Sequence, residues 1–563
     1  VQDIFLGAKR PPRPGRLLRR VAAVALLLLV ATIVAYVVFL RATGASTPSG
    51  TGPSDALAVD GTRLALGGSS LERVGDVWVL RLAGEPYAMG VAEARLFGRA
   101  IGDGGAALDA AIAGDEPPDG LTGLFHGLGL RWRYRLVAGG IPGPRRAELA
   151  GLAAGWRAAG LGAPPSYQQL VWREAALDVG HVPGSLAPIG GLATGLAFAV
   201  GVAAPMPRVV IGRSFGLSVG PQPGPPVVAF VRPAGGALAF ARVGWAGEVG
   251  AVTGVNAEGV VVCVDPAITE DVRPDAAAPP VAEVARDVLE RAHDLDEAVA
   301  ILQAAHPLGS ASFLVADGKG GVWAVVERTP GKVVVARPKK AAVIGDVLAA
   351  AEFARDADND RARRTRPGGA RQARLEELLG RGLFADAPAA LAVLRDRRGK
   401  GELRLPAGNG NAIDDLAQAH VAIIDATGLT LWVGEGPGAA GPLRAFDLRH
   451  ELLGEPTRTG AQGVLAPDPL ADLAAARSVV LGRAALTAAA RAVRHGRWAA
   501  AAEEVTRALA LAPDLAEAHR LAGDVDREQG DRSAAAEHYR RYLDLGPADP
   551  EAAGEVKAFL GGP

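Results

Sequence analysis

Hydrophobic residues fall into three regimes along this 563-residue chain. The first is a single run, Val21–Leu40, which holds no charged residue and ends at Arg41. As a helix rising 1.5 Å per residue it matches a hydrocarbon core of about 30 Å. The second regime mixes short apolar runs with helical spacing. Val74–Leu82 alternates apolar and polar residues, which predicts a half-buried strand, and Gly84-Glu85-Pro86-Tyr87 turns it into a helix. Residues 104–181 repeat apolar positions every three or four, the spacing of helices. Leu196–Val202 and Arg208–Ile211 predict a buried hairpin around a proline-bearing turn.

Between Val227 and Pro266 the runs VVAFV, ALAFARV, EVGAVTGV and VVVCVD are separated by glycine turns. They barely alternate, which predicts strands covered on both faces. Val281–Ala305 reads as a helix with a charged outer face. Ser312–Ala316 with Val322–Glu327, and His420–Ile424 with Leu429–Val433, read as hairpins turning at Asp317-Gly318 and Asp425-Ala426-Thr427-Gly428.

The third regime is rich in Ala, Arg and Leu at helical spacing. Gly496 and Gly530, Leu509 and Leu543, and Pro513 and Pro547 each stand 34 positions apart, the period of tetratricopeptide repeats. Ala501, Ala508, Gly523 and Ala535, with Tyr539, fall where paired helices would touch. Two repeats (482–515 and 516–549) and a capping helix, Pro550–Leu560, are fewer than the usual three. They would need Leu470–Val480 or the preceding domain to complete their core; the plainer alternative is a helical cap on that domain.

Charge gives the first run a direction. Lys9, Arg10, Arg13, Arg16, Arg19 and Arg20 precede it, so positive-inside orientation places 1–20 in the cytoplasm and the remainder outside. Its apolar content favours insertion by roughly 3–6 kcal/mol. The run exceeds a cleavable h-region, which predicts a signal anchor rather than a buried core helix. The expected order is a basic tail (1–20), a transmembrane helix (21–40), a flexible stalk (41–71), a mixed α/β domain (72–453), a linker (454–469) and the repeat module (470–563). The expected home is the bacterial inner membrane, single-pass, with the bulk of the chain on the periplasmic side. A net charge of −1 gives no electrostatic reason to expect nucleic acid. The single cysteine, Cys263, excludes an internal disulfide within this sequence. Asp356-Ala357-Asp358-Asn359-Asp360 starts like a calcium loop, but Arg361 replaces the glycine that loop requires. No histidine pair suits zinc and no phosphate loop occurs, so neither metal nor cofactor is expected.

The stretch IGGLATGLAFAVGVAAPMPRVVIGRSFGL (Ile189–Leu217), with Gly254-Val255-Asn256-Ala257-Glu258-Gly259 downstream, resembles the penicillin acyltransferase-like family of N-terminal-nucleophile hydrolases. Leu82, Gly84, Tyr87 and Gly90 fit that family's opening pattern, with Ala94 at its last glycine. Ile141–Gly155 followed by Leu177-Asp178, and the two later hairpins, match further blocks. The resemblance spans roughly residues 72–450 and implies an αββα sandwich.

It also implies a site. The family's first strand carries Cys-Thr-Ser-Phe; with Phe198 on its Phe, Gly195 stands where the catalytic cysteine belongs. Its Gly-Arg-Asn-x-Asp becomes Gly212-Arg213-Ser214-Phe215-Gly216, so Ser214 and Gly216 replace the Asn and Asp. Its Thr-Asn-His-Phe falls on Ile344-Gly345-Asp346-Val347, putting Gly345 at the oxyanion asparagine. In such enzymes the freed α-amino group is the base for its own side chain, and glycine has no side chain to offer. The reading is a non-catalytic homologue whose pocket keeps Arg213, Asn256 and Arg371 to bind an acyl, peptide or amino-acid-like ligand, with repeats facing a partner protein. Ion-pairing within the sandwich is the equal alternative for the two arginines.

Three residues offer other routes to activity. Thr194 is a competent nucleophile one position from Gly195, although one step along a strand reverses the side chain's face. Ser214 sits in Gly-x-Ser-x-Gly, which requires a strand-to-helix turn. Cys263 reads as a packing residue. A purely structural protein with a collapsed pocket is the third option.

Overall fold

The computed structural model describes residues 14–98, 120–160, 165–179, 193–202, 207–217, 224–273, 276–382, 385–458, 463–547 and 549–562. Lys9, Arg10 and Arg13 of the basic tail, part of the segment expected to be helical before His181, Ser218–Pro221 and part of the 454–469 linker lie outside them. The first apolar run is the core of a 30-residue helix, Pro14–Thr43, exposed over nearly its whole length. Within Leu18–Thr43 an 18-residue stretch has a mean hydropathy of 2.9, and the helix is long and apolar enough to cross a membrane. Leu473–Arg494 also passes on length and composition, with a stretch at 1.3. Its apolar side, however, is packed against protein: Ala476 and Val479 share a core with Leu416 and Ala440.

The segment expected to be a free stalk is strapped to the domain instead. The Gln168 side chain accepts a hydrogen bond from Ala45 N, and Arg95 donates to Pro53 O and Asp55 O. Gly50 and Gly52 lie flat on Tyr87 and Val91, where a Cβ would come within 2.5 and 2.7 Å of their side chains. The segment then enters the first sheet as β1 (Ala58–Asp60), β2 (Arg63–Leu66) and β3 (Ser69–Val74). Small polar residues flatten this strap against a helix rather than loosening it. The strand expected over Val74–Leu82 is really the end of β3, a turn at Gly75 (φ 62°), and β4 (Val77–Gly84).

The remaining strands are β5 (Ala193–Val202), β6 (Arg208–Leu217), β7 (Val227–Pro233), β8 (Phe240–Gly244), β9 (Thr253–Asn256) and β10 (Val260–Ala267). Then come β11 (Ser310–Asp317), β12 (Val322–Arg328), β13 (Val333–Ala336), β14 (Ala341–Gly345), β15 (Arg398–Gly399) and β16 (Leu403–Arg404). The last are β17 (His420–Asp425), β18 (Thr430–Gly434), β19 (Leu443–Asp447) and β20 (Val464–Leu465). Among the described residues one sheet has the order β1-β2-β3-β4-β7-β8-β9-β10-β11-β12-β13 and a second β14-β5-β6-β17-β18-β19-β20. Only β4 and β7 pair in parallel; every other neighbour in these two sheets is antiparallel.

The sheets face each other across a shared apolar layer. Ala197, Ala199 and Ile211 of the second meet Val228, Val261 and Cys263 of the first. Opposite-parity residues such as Leu196, Phe198 and Val210 pack outward on Leu375 and Leu391 of helices Pro367–Gly380 and Ala387–Leu394. Helices Pro86–Phe97, Gly143–Ala158 and Val281–Arg291 cover the other side of the first sheet. Strands buried on both faces account for the near-continuous apolar runs. The motif glycines have a steric reason: a Cβ on Gly90 would fall 2.0 Å from Glu148 O, and one on Gly151 2.1 Å from Tyr87 O. The helix expected over Val281–Ala305 is two, because Asp294 caps a new start by accepting from Glu297 N.

Beyond the sheets, Leu473–Arg494 pairs with Trp498–Leu511, and Ala516–Glu528 with Arg532–Asp544, before Pro550–Gly561. Gly496 and Gly530, the 34-residue pair, both take the left-handed conformation (φ 66° and 83°) just past a helix end. Gly523 faces Tyr539, leaving no room for a Cβ. The Asn409 side chain donates to Leu545 O and Gly546 O, at 3.3 and 3.1 Å, tying the far end of this bundle to the α/β domain.

The helix-covered side of the first sheet buries five carboxylates, Glu93, Glu148, Glu174, Glu248 and Glu283, with three arginines, Arg145, Arg242 and Arg286. Arg286 pairs with Glu148 at 2.8 Å and Arg242 with Glu248 at 3.2 Å. The acidic excess cannot be fully neutralised, and burial pushes Glu93 up to about 7 and Glu248 up to about 8. From the ordinary glutamate range up to about pH 8 the folded chain therefore holds protons on these glutamates that the unfolded chain has lost, so their contribution to stability falls as pH rises. The melting temperature, read by circular dichroism, should drop from about pH 6.5 to about pH 8, and Glu93→Gln should flatten the slope.

Candidate functional site

Residues of β5 alternate between two surroundings. Gly195 belongs with Ala197 and Ala199 on the face turned to the first sheet, Thr194 with Leu196 and Phe198 on the other. The position implied for the nucleophile therefore opens toward β10, and it is filled. A Cβ on Gly195 would lie 2.0 Å from Asp265 Oδ1 and 3.2 Å from Arg213 Nη1. Those two groups form an ion pair at 2.7 Å between the sheets, both fully buried.

Arg213 spends all three nitrogens inside the protein. Nη1 donates to Asp265, Nη2 to Val264 O at 2.7 Å and Nε to Thr253 Oγ1 at 3.1 Å. His420 Nε2 lies 3.0 Å from the same threonine hydroxyl, and burial with the neighbouring guanidinium holds that imidazole well below its ordinary pKa, hence neutral. Burial pushes the Asp265 carboxyl up, opposed chiefly by Arg213. Asn256 is equally committed: its amide donates to Leu289 O and Ala292 O, and its oxygen accepts from Glu258 N and Val260 N. Arg213 and Asn256, expected as ligand contacts, are internal braces in this fold.

Arg371 is placed differently. From the first turns of helix Pro367–Gly380 it donates to Thr194 Oγ1, and its Nε has no partner among the described residues. Both residues line a cavity of about 420 Å³, with Gly216, Asp415 and Gln418 on the same wall. The opposite wall is helix Leu473–Arg494, through Val480, Leu481, Arg483 and Thr487. Arg483 closes the rim, donating to Gly408 O and lying 3.6 Å from Asp415. Gln418 Oε1 is another buried atom without a partner.

The other named positions separate cleanly. Ser214 lies mid-strand, paired with Leu196 and Val421, with no helix after it before Leu217; the strand-to-helix elbow required of a serine nucleophile is not formed there. A Cβ on Gly216 would meet only ordinary contacts from 3.4 Å, and one on Gly345 from 3.6 Å, so both positions have room for a side chain. Asp346, next in chain, is buried with neither carboxylate oxygen bonded among the described residues, and it rests on Gly368 in the first turn of helix Pro367–Gly380, an end that attracts negative charge. Burial pushes the Cys263 thiol up to about 12, which leaves it inert. The acidic turn at Asp356 is a helix cap, accepting from Asn359 N. Asp265, Asp415, Gln418 and Arg483 were missed by the motif reading. Asp265 alone had a signal, as a lone acid closing an apolar strand.

An αβ protein of two facing sheets with helical outer layers is thus defined, with Gly195 hemmed in by an ion pair and a cavity beside it. Residues 229–399 match the family described as acyl-coenzyme A:6-aminopenicillanic acid acyl-transferase, the resemblance read from the motifs; the match begins after Gly195 and includes Asn256, Asp265 and Arg371. No curated protein matches significantly. Matching solved structures include a mutant conjugated bile acid hydrolase from Clostridium perfringens, with 10% identity and TM-score 0.31 over 48% of this chain and 95% of that one. An N-acylethanolamine-hydrolyzing acid amidase ortholog from Caenorhabditis elegans has 12% identity and TM-score 0.28 over 41% and 93%.

The crowding at Gly195 can be tested directly. Gly195→Ala should cost about 1–3 kcal/mol in denaturant unfolding through overpacking, and Asp265→Ala about 3–5 kcal/mol because it strands the Arg213 charge. The double variant should cost less than the sum, since removing Asp265 vacates the space that the new methyl needs.

Proposed function

We propose that this chain is a membrane-anchored, non-catalytic homologue of acyltransferase and amide-hydrolase enzymes, retained as a ligand-binding αββα sandwich. The observation that carries this reading is the buried Asp265–Arg213 pair, which leaves no space at Gly195 even for a methyl group. A nucleophile was not merely deleted; its volume has been taken over by a structural ion pair. The cavity beside it offers Arg371, with an unpartnered Nε, and the amide of Gln418. A guanidinium and an amide suit the carboxylate or amide group of an acyl, peptide or amino-acid-like ligand. The C-terminal helices are read as a short tetratricopeptide module (470–563) whose first helix walls this cavity and whose outer surface is free for a protein partner. The basic tail and Val21–Leu40 are read as a signal anchor of a bacterial inner membrane, with the bulk of the chain periplasmic.

A second reading keeps activity through Thr194, which lines the cavity. Against it, the hydroxyl's partner is Arg371, a group that cannot accept a proton. Intact mass and N-terminal sequencing of the purified protein separate the two. One chain, uncut between Ala193 and Gly195, is expected, with no hydrolysis of acyl amides and no change on Thr194→Ala. A new terminus at Thr194, or hydrolysis abolished by Thr194→Ala, would establish the second reading. If no acyl or amino-acid-like ligand raises the melting temperature, the cavity is structural only.

A further inference from the structure

The helix Gly120–Arg133 carries its apolar residues on the wrong side for a protein surrounded by water. Leu130 and Tyr134 face the core, as expected of a surface helix. Yet Phe125 and Trp132, at i and i+7 on one face, are 68% and 54% exposed, Leu124 beside them 48%, and Leu136, in the turn that follows the helix, 40%. The segment 120–136 contains no acidic residue, whereas Arg131, Arg133 and Arg135 cluster at its end. Among the described residues none of these three arginines pairs with a carboxylate. Arg135 stacks 4.1 Å over the Trp132 ring and donates to Trp132 O.

The position of this face relative to the N-terminal helix is fixed by contacts. Trp132 stacks on Phe39, with ring centroids 6.3 Å apart, and Arg131 Nε donates to Thr43 Oγ1 at 3.5 Å. Phe39 lies in the last turn of the apolar run, just before Arg41. Four residues of helix from Phe39 to Thr43 rise about 6 Å. When that helix spans a bilayer, Trp132 therefore sits at the boundary between hydrocarbon and headgroups, with the arginines at headgroup level. The strap formed by residues 45–57 removes the slack that would let the domain drift away.

We infer that residues 120–136 form a second, monotopic membrane contact, inserting Leu124, Phe125 and Trp132 into the leaflet at which the anchor helix emerges, with Arg131, Arg133 and Arg135 on lipid phosphates. Interfacial aromatic residues and a basic rim on an amphipathic helix are the chemistry of such a surface. The contact rests on the anchor reading above. It holds the α/β domain against the bilayer in one orientation, where the expectation of a flexible stalk allowed any.

The full chain in vesicles of phosphatidylethanolamine and phosphatidylglycerol tests this, with nitroxide labels on single introduced cysteines and Cys263 buried as a silent background. Leu28→Cys reports the anchor helix, Phe125→Cys the proposed contact, and Leu470→Cys, 92% exposed, the aqueous reference. Accessibility is read as collision with lipid-phase oxygen against a water-phase nickel complex. The expected result is an oxygen-to-nickel ratio for Phe125→Cys severalfold above the Leu470→Cys value, alongside a high ratio at Leu28→Cys. High at Leu28 but reference-like at Phe125 overturns the contact and leaves the anchor standing. A label at Phe125 shielded from both reagents overturns it in favour of a protein-covered face. A low ratio at Leu28 itself removes the anchor and the contact with it.

Discussion

The ion pair between Arg213 on β6 and Asp265 on β10 is the constraint on which this site depends. Two charges fully withdrawn from water are tolerated only when each is paired and the remaining donors are used. Here Val264 O and the Thr253 hydroxyl supply those partners, and Thr253 in turn meets a neutral His420. The pair joins the two sheets where the apolar layer between them is interrupted. Gly195 is its steric consequence, because the carboxylate occupies the place of a side chain. Any side chain at position 195 would require the pair to move.

With the space between the sheets closed, the open volume lies on the other face of β5. Thr194 borders it because strand alternation sends it there, Arg371 because its helix packs on that face, and the C-terminal helices complete it. Those helices share a core with the α/β domain through Leu416 and Ala440. Small residues on Leu473–Arg494 let it approach closely: Gly482 lies against Ala512, and Gly408 of the domain against Val479. The cavity is thus assembled from distant parts of the sequence, Thr194 and Thr487 at its extremes with Arg371 and Asp415 between them.

Much of this was legible in the chain. Near-continuous apolar runs announced doubly covered strands, and the 34-residue spacing, read as a repeat period, coincides with recurrent left-handed helix ends; that Gly90 and Gly151 hold helices in backbone contact is seen only in the fold. The misreadings were local. Val74–Leu82 hid a turn at Gly75, Val281–Ala305 hid a cap at Asp294, and a small polar segment after Arg41 looked like a tether. Composition describes a segment's own preferences, not the surface against which it is pressed.

The sequence by itself determined the element types, the apolar helix at the start and the absence of a side chain at position 195, since these follow from periodicity and residue identity. Tertiary structure alone decided what fills the space at Gly195, and that Arg213 and Asn256 are braces while Arg371 faces a cavity. It alone brought Trp132 onto Phe39. Pairings across 52 positions, as from Arg213 to Asp265, or 177, as from Thr194 to Arg371, leave no local pattern in the chain. A charge used as a brace and one that faces a cavity read identically in sequence; only desolvation and the partners within reach distinguish them.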